Sequence, residues 1–229
     1  MGEELILNEI ENNREEYIEF LKELIQTESV NPPGNEKNVA LKIEKYLKHA
    51  EINCEVFPFG DNRANLMATL NDNFDGKNLL YNGHMDVVPP GSEEEWKYPP
   101  FSATVKRKRI YGRGATDMKG GLAAIVIALK ILKRLDLELS GNLILNAVAD
   151  EETGGFLGTK WLVENKLTTI KCDFVIVGEP TGINPLGKAS IVGEKARIEI
   201  KIVTNGISSH AAIPFAGKNA IYMMSEIIQ

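Results

Sequence analysis

The sequence predicts an α/β protein with a mostly parallel central sheet flanked by helices, followed by the first half of a small second domain. Two observations lead there. The short apolar runs NCEVFPF, NLMATL, NLLYNG, NLILNAVA and DFVIVG alternate with segments of helical spacing, the pattern of strands and helices that pack in layers. Around residues 182–193 the texture changes to loop and short strand, and ARIEIKIVT then alternates apolar and polar residues as a strand wet on one face does.

Taken in order, residues 8–26 show helical spacing through Ile10, Tyr17, Ile18, Leu21, Leu24 and Ile25. SVNPPG breaks the chain, and Val39 to Leu47 reads as the next helix. The strands follow, interleaved with helical segments over Met118 to Leu135 and Gly158 to Asn165. A catalytic-type domain is expected over 1–193 and the start of a second domain over 194–229. The last amphipathic helix, from Gly217 to Ile228, meets no Gly, Asn or Pro before Gln229, so the second domain is expected to be truncated.

Bulk properties exclude several classes. With 229 residues, 43% hydrophobic and 25% charged, the chain reads as an ordinary globular protein with one large or two small cores. A net charge of -6 argues against nucleic acid or an anionic membrane as partner, because a phosphate-binding face needs a basic stripe. The longest apolar stretch, Leu122 to Leu129, is too short to span a bilayer. The opening MGEELILNEIENN is acidic where an export signal is basic, so the cytoplasm is the expected compartment. Cys54 and Cys172 lie far apart without a C-x-x-C pair and read as buried free thiols.

Reactive side chains fall where apolar runs stop. NLLYNG leads to His84 and Asp86, IYGRGAT to Asp117, NLILNAVA to Asp150, Glu151 and Glu152, and DFVIVG to Glu179. Ligands of open α/β sheets gather outside the carboxyl ends of the strands, so these residues are expected to converge on one crevice. His84 and Asp86, two apart on extended backbone, share a face, which lets the carboxylate hold one ring nitrogen while the other turns to a metal. GRGATDMKGGLAA is not a phosphate loop: Asp117 replaces the third glycine of a fingerprint begun at Gly112, and Lys119 is not followed by Ser or Thr. An acid there suits a cation. Three consecutive acids in NAVADEETGG repel one another unless something positive sits among them, and a divalent ion answers that need. One histidine with several carboxylates is the donor set of a hydrolytic zinc site, and a carboxylate between two ions fits it as well.

In this order, GHMDVVP, GRGATDMKGG, ADEETGG, VGEP and SSHAAIPFAGKNAI make the sequence resemble the co-catalytic zinc amidohydrolases that include aminoacylase, acetylornithine deacetylase, succinyl-diaminopimelate desuccinylase and glutamate carboxypeptidase. The resemblance implies a zinc-exopeptidase-like catalytic domain and a ferredoxin-like lid. It also implies two Zn²⁺ per complete site, with Co²⁺ or Mn²⁺ able to take the same oxygen-rich ligands. His84 and Glu179 would bind one ion, Glu152 the other, and Asp117 both. Asp86 would orient His84, and Glu151 would serve as general base and acid. His210 would stabilise the oxyanion from the lid, through which the full-length protein would form a homodimer. The family takes one more histidine from a late segment, whereas this sequence has only His49, His84 and His210. His49 is read as a residue that caps an early helix or faces water. The expected substrate is an N-acyl amino acid, with a dipeptide as the alternative. A further alternative is that these 229 residues are a non-catalytic piece that binds metal incompletely.

Overall fold

The computed structural model describes residues 2–71, 76–167, 172–183, 187–188, 193 and 200–229. The chain divides into two compact units, Met1–Gly182 and Ile183–Gln229. The boundary expected at 193/194 adjoins residues 194–199, which lie outside the described residues.

In the first unit, helices α1 (Gly2–Asn12), α2 (Arg14–Gln26) and α3 (Lys37–His49) precede strands β1 (Asn53–Phe59), β2 (Arg63–Leu70) and β3 (Lys77–His84). A small ribbon of β4 (Thr104–Lys106) and β5 (Arg109–Tyr111) comes next. Helix α4 (Lys119–Arg134), β6 (Gly141–Val148), α5 (Trp161–Asn165) and β7 (Phe174–Val177) complete the unit. The helix expected over 8–26 is two helices, parted at Asn13, whose side-chain amide donates to the Glu9 carbonyl oxygen at 3.0 Å.

Among the described residues the central sheet has the order β1-β2-β6-β3-β7. It is mixed: β1 with β2 and β2 with β6 are antiparallel, while β3 pairs in parallel with β6 and with β7. The parallel half was the more legible half, since β6 and β7 each follow a helical segment, α4 and α5. The antiparallel half arises because Gly60, at positive φ, and the two residues after it turn β1 straight back into β2.

The main core fills one face of the sheet, where Leu24 of α2, Val39, Ile43 and Leu47 of α3, and Leu122, Val126 and Leu129 of α4 pack on Leu66, Ala68 and Leu145. The opposite face is covered more thinly, by Leu162 of α5 on Phe57 and Val148 and by Leu167 on Leu80 and Ile144. Strand β6 is therefore enclosed on both sides, as a central strand of apolar sequence requires. Strand β7 is not: Phe174, Val175, Ile176 and Val177 are each between 47% and 55% exposed at the sheet edge.

In the second unit, Ile207 and Lys218 exchange main-chain hydrogen bonds at 2.9 Å, closing a loop that carries a short turn over Pro214–Ala216. Helix α6 (Ala220–Ile228) follows, capped by Asn219, whose Oδ1 accepts from the amides of Ile221 and Tyr222. Of the strand expected over 196–204, residues 196–199 lie outside the described residues and 200–204 form no strand. No helix among the described residues is long and apolar enough to cross a membrane.

Candidate metal centre

Strand register brings the first residues of the site together. His84 stands opposite Val148 across β3 and β6, and Asn82 stands opposite Val177 across β3 and β7. Two residues beyond Val177 lies Glu179, level with His84. Two beyond Val148 lies Asp150, level with Asp86. The ladders continue past the strand ends, the Met85 amide donating to the Val148 carbonyl oxygen at 2.7 Å and the Gly178 amide to that of Asn82 at 3.3 Å.

Asp117 arrives by a route the sequence did not predict. The run before it, β5, pairs with β4 and takes no place in the central sheet. Asp117 sits instead on the loop that enters α4, and that loop is pinned from below. The Lys119 ammonium, fully buried, donates to the carbonyl oxygens of Leu24 at 2.9 Å and Thr27 at 2.7 Å. Gly121 lets α4 begin hard against the end of β7, because a Cβ there would stand 2.0 Å from the Gly178 carbonyl oxygen.

The resulting geometry is compact. His84 Nε2 lies 3.1 Å from Asp117 Oδ1, 3.3 Å from Glu179 Oε1 and 3.8 Å from Glu151 Oε2. Ligand atoms of His84, Asp117 and Glu152 all fall within 4.8 Å of one another. The imidazole is 1% exposed, whereas the side chains of Asp117 and Glu151 are 60% and 52% exposed, so a buried nitrogen faces a ring of acids open to solvent. One neutral imidazole among carboxylates is a donor set that fits a divalent ion.

Asp86 works through both its main chain and its side chain. His84 Nδ1 lies 2.9 Å from the Asp86 carbonyl oxygen and 3.5 Å from Oδ1. The carboxylate accepts from the amides of Glu151 at 3.3 Å and Glu152 at 3.1 Å, and from Asn31 Nδ2 at 2.8 Å. One buried acid thus ties the histidine to the acidic turn.

The electrostatics match a site short of positive charge. Burial pulls His84 down, yet the hydrogen bonds and charges of Asp86 and Glu179 outweigh it and push the imidazole up to about 11. Burial, and after it the crowd of neighbouring acids, raises Glu151 and Glu152 above the usual carboxylate range against the pull of His84. Burial also acts to raise Asp86, but the bonds from His84 and Asn31 hold it below that range. A bound cation would reverse the balance by favouring neutral imidazole and ionised carboxylates.

The acidic triplet divides its work. Asp150, at φ 70, turns inward and takes hydrogen bonds from Thr153 Oγ1 at 2.8 Å and the Leu157 amide at 3.1 Å, with Arg63 Nη1 at 3.3 Å. Glu151 and Glu152 turn toward His84. Arg63 is itself forked onto buried Glu36, at 3.0 and 2.5 Å. Asn65 braces the same turn, donating to the Leu157 carbonyl oxygen at 2.8 Å and accepting from the Ala149 amide at 2.9 Å. Sequence reasoning passed over Asn31, Arg63 and Asn65 and noted Lys119 only as a failed phosphate-loop residue. The available signal was a polar residue inside an apolar stretch, as in RANLMATL.

His210 belongs to the second unit. It is exposed, with Nδ1 accepting from the Ala212 amide at 3.2 Å and its carbonyl oxygen accepting from the Ile213 amide at 2.9 Å. His49 is exposed at the end of α3.

The model for the family described as Peptidase family M20/M25/M40 matches residues 80–221. Among curated relatives, a succinyl-diaminopimelate desuccinylase of Wolbachia pipientis wMel is 34% identical over 213 residues, covering 92% of this chain and 52% of its own length. One of Ehrlichia canis is 35% identical over 220 residues, covering 92% and 55%. The chain thus spans about half the length of these relatives. Among solved structures, an M20 family metallo-carboxypeptidase of Sulfolobus solfataricus aligns with a TM-score of 0.64 at 31% identity, over 75% of this chain and 39% of that one. Human carnosine dipeptidase 1 aligns with a TM-score of 0.65 at 22% identity, over 76% and 40%, a likeness of fold.

Proposed function

The chain belongs to peptidase family M20/M25/M40, and from that membership we propose that its parent protein is a metal-dependent amidohydrolase that cleaves the acyl–nitrogen bond of N-acyl amino acids, in the manner of a succinyl-diaminopimelate desuccinylase. The observation that carries this reading is the meeting of His84, Asp117 and Glu152 within 4.8 Å, with Glu179 3.3 Å from the same imidazole nitrogen. In it, His84, Asp117, Glu152 and Glu179 hold the metal, Zn²⁺ being the best fit to the donor set, with Co²⁺ or Mn²⁺ as substitutes. A divalent ion bound there polarises the scissile carbonyl and makes water more acidic.

The rest of the chemistry falls to the chain. Glu151, raised by burial and half open to solvent, takes a proton from water as the oxygen adds to the carbonyl carbon. It returns that proton to the nitrogen as the bond to carbon breaks, releasing a carboxylate and a free amine. Asp86 keeps the His84 ring aimed. His210 would steady the oxyanion from the second unit, the beginning of a lid through which the parent forms a homodimer in the cytoplasm.

A second reading, hydrolysis of dipeptides or of a C-terminal peptide bond, draws on the likeness to the metallo-carboxypeptidase. A panel of N-succinyl and N-acetyl amino acids against dipeptides, run on the full-length parent, separates the two. In that protein Glu151→Gln should lower turnover by about 10²–10⁴-fold while metal content stays unchanged. Wild-type turnover confined to dipeptides would favour the second reading, and no turnover of either class would end both.

A further inference from the structure

We propose that Asn31 is a positioning residue, whose side-chain amide sets the distance between the histidine turn and the acidic turn by donating to both. The inference rests on the metal-site reading above and adds the residue that holds its two halves in register. Two main-chain bonds and one from a side chain fix the segment Ser29 to Asn31 beside the His84 turn: the Val87 amide donates to the Ser29 carbonyl oxygen at 3.0 Å, the Asn31 amide to that of Val87 at 2.9 Å, and Ser29 Oγ to that of Met85 at 2.7 Å. From this seat the buried Asn31 side chain spends its two N–H bonds in different directions. One goes to Asp86 Oδ2 at 2.8 Å and the other to Thr153 Oγ1 at 3.0 Å.

Each acceptor leads to one half of the site. Asp86 continues to His84 Nδ1 and to the amides of Glu151 and Glu152. The Thr153 hydroxyl in turn donates a hydrogen bond to Asp150 Oδ1 at 2.8 Å, which anchors the turn on which Glu151 and Glu152 stand. Without the Asn31 amide, Asp86 keeps its backbone donors but loses the bond that sets its angle, and Thr153 loses its tie to the histidine side. The acids of the turn then face the imidazole from a less defined distance. Outer partners of this kind typically cost 10–100-fold in metal affinity when removed.

The test titrates Zn²⁺ into the 229-residue chain against a chromophoric chelator and records the visible absorption of the Co²⁺ form. Melting temperature serves as the check on folding. In folded Asn31→Ala, Zn²⁺ affinity should fall about tenfold and the Co²⁺ bands should shift or broaden. Asn31→Asp, which sets a second carboxylate against Asp86, should fall further. Thr153→Val removes the other acceptor and should weaken binding in the same direction, whereas Thr153→Ser, keeping the hydroxyl, should restore it. These two carry the test should Asn31→Ala not fold. Variants that fold and match the wild type in affinity and spectrum would overturn the positioning role alone. A wild-type chain that takes up no Zn²⁺ would overturn the metal-site reading, and this inference with it.

Discussion

Arg63 on β2 stands 3.3 Å from Asp150, the first of the three consecutive acids, while the same guanidinium forks onto Glu36. The most buried member of the triplet is therefore neutralised by the protein itself, and the turn it anchors is free to present the other two. Because Glu36 is fully buried, removing its partner leaves a charge with nowhere to go. Arg63→Met should destabilise the chain by about 3–5 kcal/mol in urea unfolding. An unchanged midpoint and slope would show that the cluster contributes nothing.

Lys119 makes the equivalent tie on the Asp117 side. Replacing it with Met keeps most of its bulk but takes the ammonium donor from the Thr27 carbonyl oxygen and leaves that of Leu24 with only the Thr27 amide, at 3.3 Å. A loss of about 1–3 kcal/mol is expected. Faster hydrogen exchange should appear at the end of α2, where those carbonyls lie. Exchange there identical to wild type would count against the tie.

Metal should stabilise the chain through His84. Zn²⁺ at about a hundred times its Kd adds about 2.7 kcal/mol, which raises Tm by roughly 5–10 °C for a chain of this size. In His84→Ala that rise should vanish. An equal rise in the variant would place the ion elsewhere.

Alkaline pH offers a test away from the metal site. Burial, and then the hydrogen bond donated to Glu9, pushes the Tyr17 phenol up to about 12. A group whose pKa is raised by folding holds the folded state most fully below its unfolded value, about 10 for tyrosine. That contribution drains away as pH rises through about 12. Wild type should therefore lose stability between those values, and Tyr17→Phe should lose less. Ultraviolet titration of the phenolate finding every tyrosine near 10 would contradict this.

The site was legible from sequence to the extent that its parts announce themselves locally. His84 and Glu179 sit just where apolar runs stop, and parallel register does the rest, since strands of like direction end at a common rim. Asp117 was read as cation-seeking and placed at the end of a sheet strand, because IYGRGAT looks like a strand and only pairing shows that β5 belongs to a separate ribbon. The bracing residues were invisible for a different reason. Asn31 meets Thr153 across 122 residues, and Lys119 meets Leu24 across 95. No local period encodes such a partnership. Likewise, nothing in DEE tells which acid turns inward; that follows from Asp150 adopting positive φ and from the arginine waiting beneath it.

The open flank of β7 has a practical corollary. Four neighbouring greasy side chains flank a strand edge that no other strand pairs among the described residues, which is a ready template for unwanted self-association. Concentrated preparations of the 229-residue polypeptide should scatter light increasingly with time. Val175→Lys, at the position paired with Leu80 on the face away from the main core, should quiet the scattering.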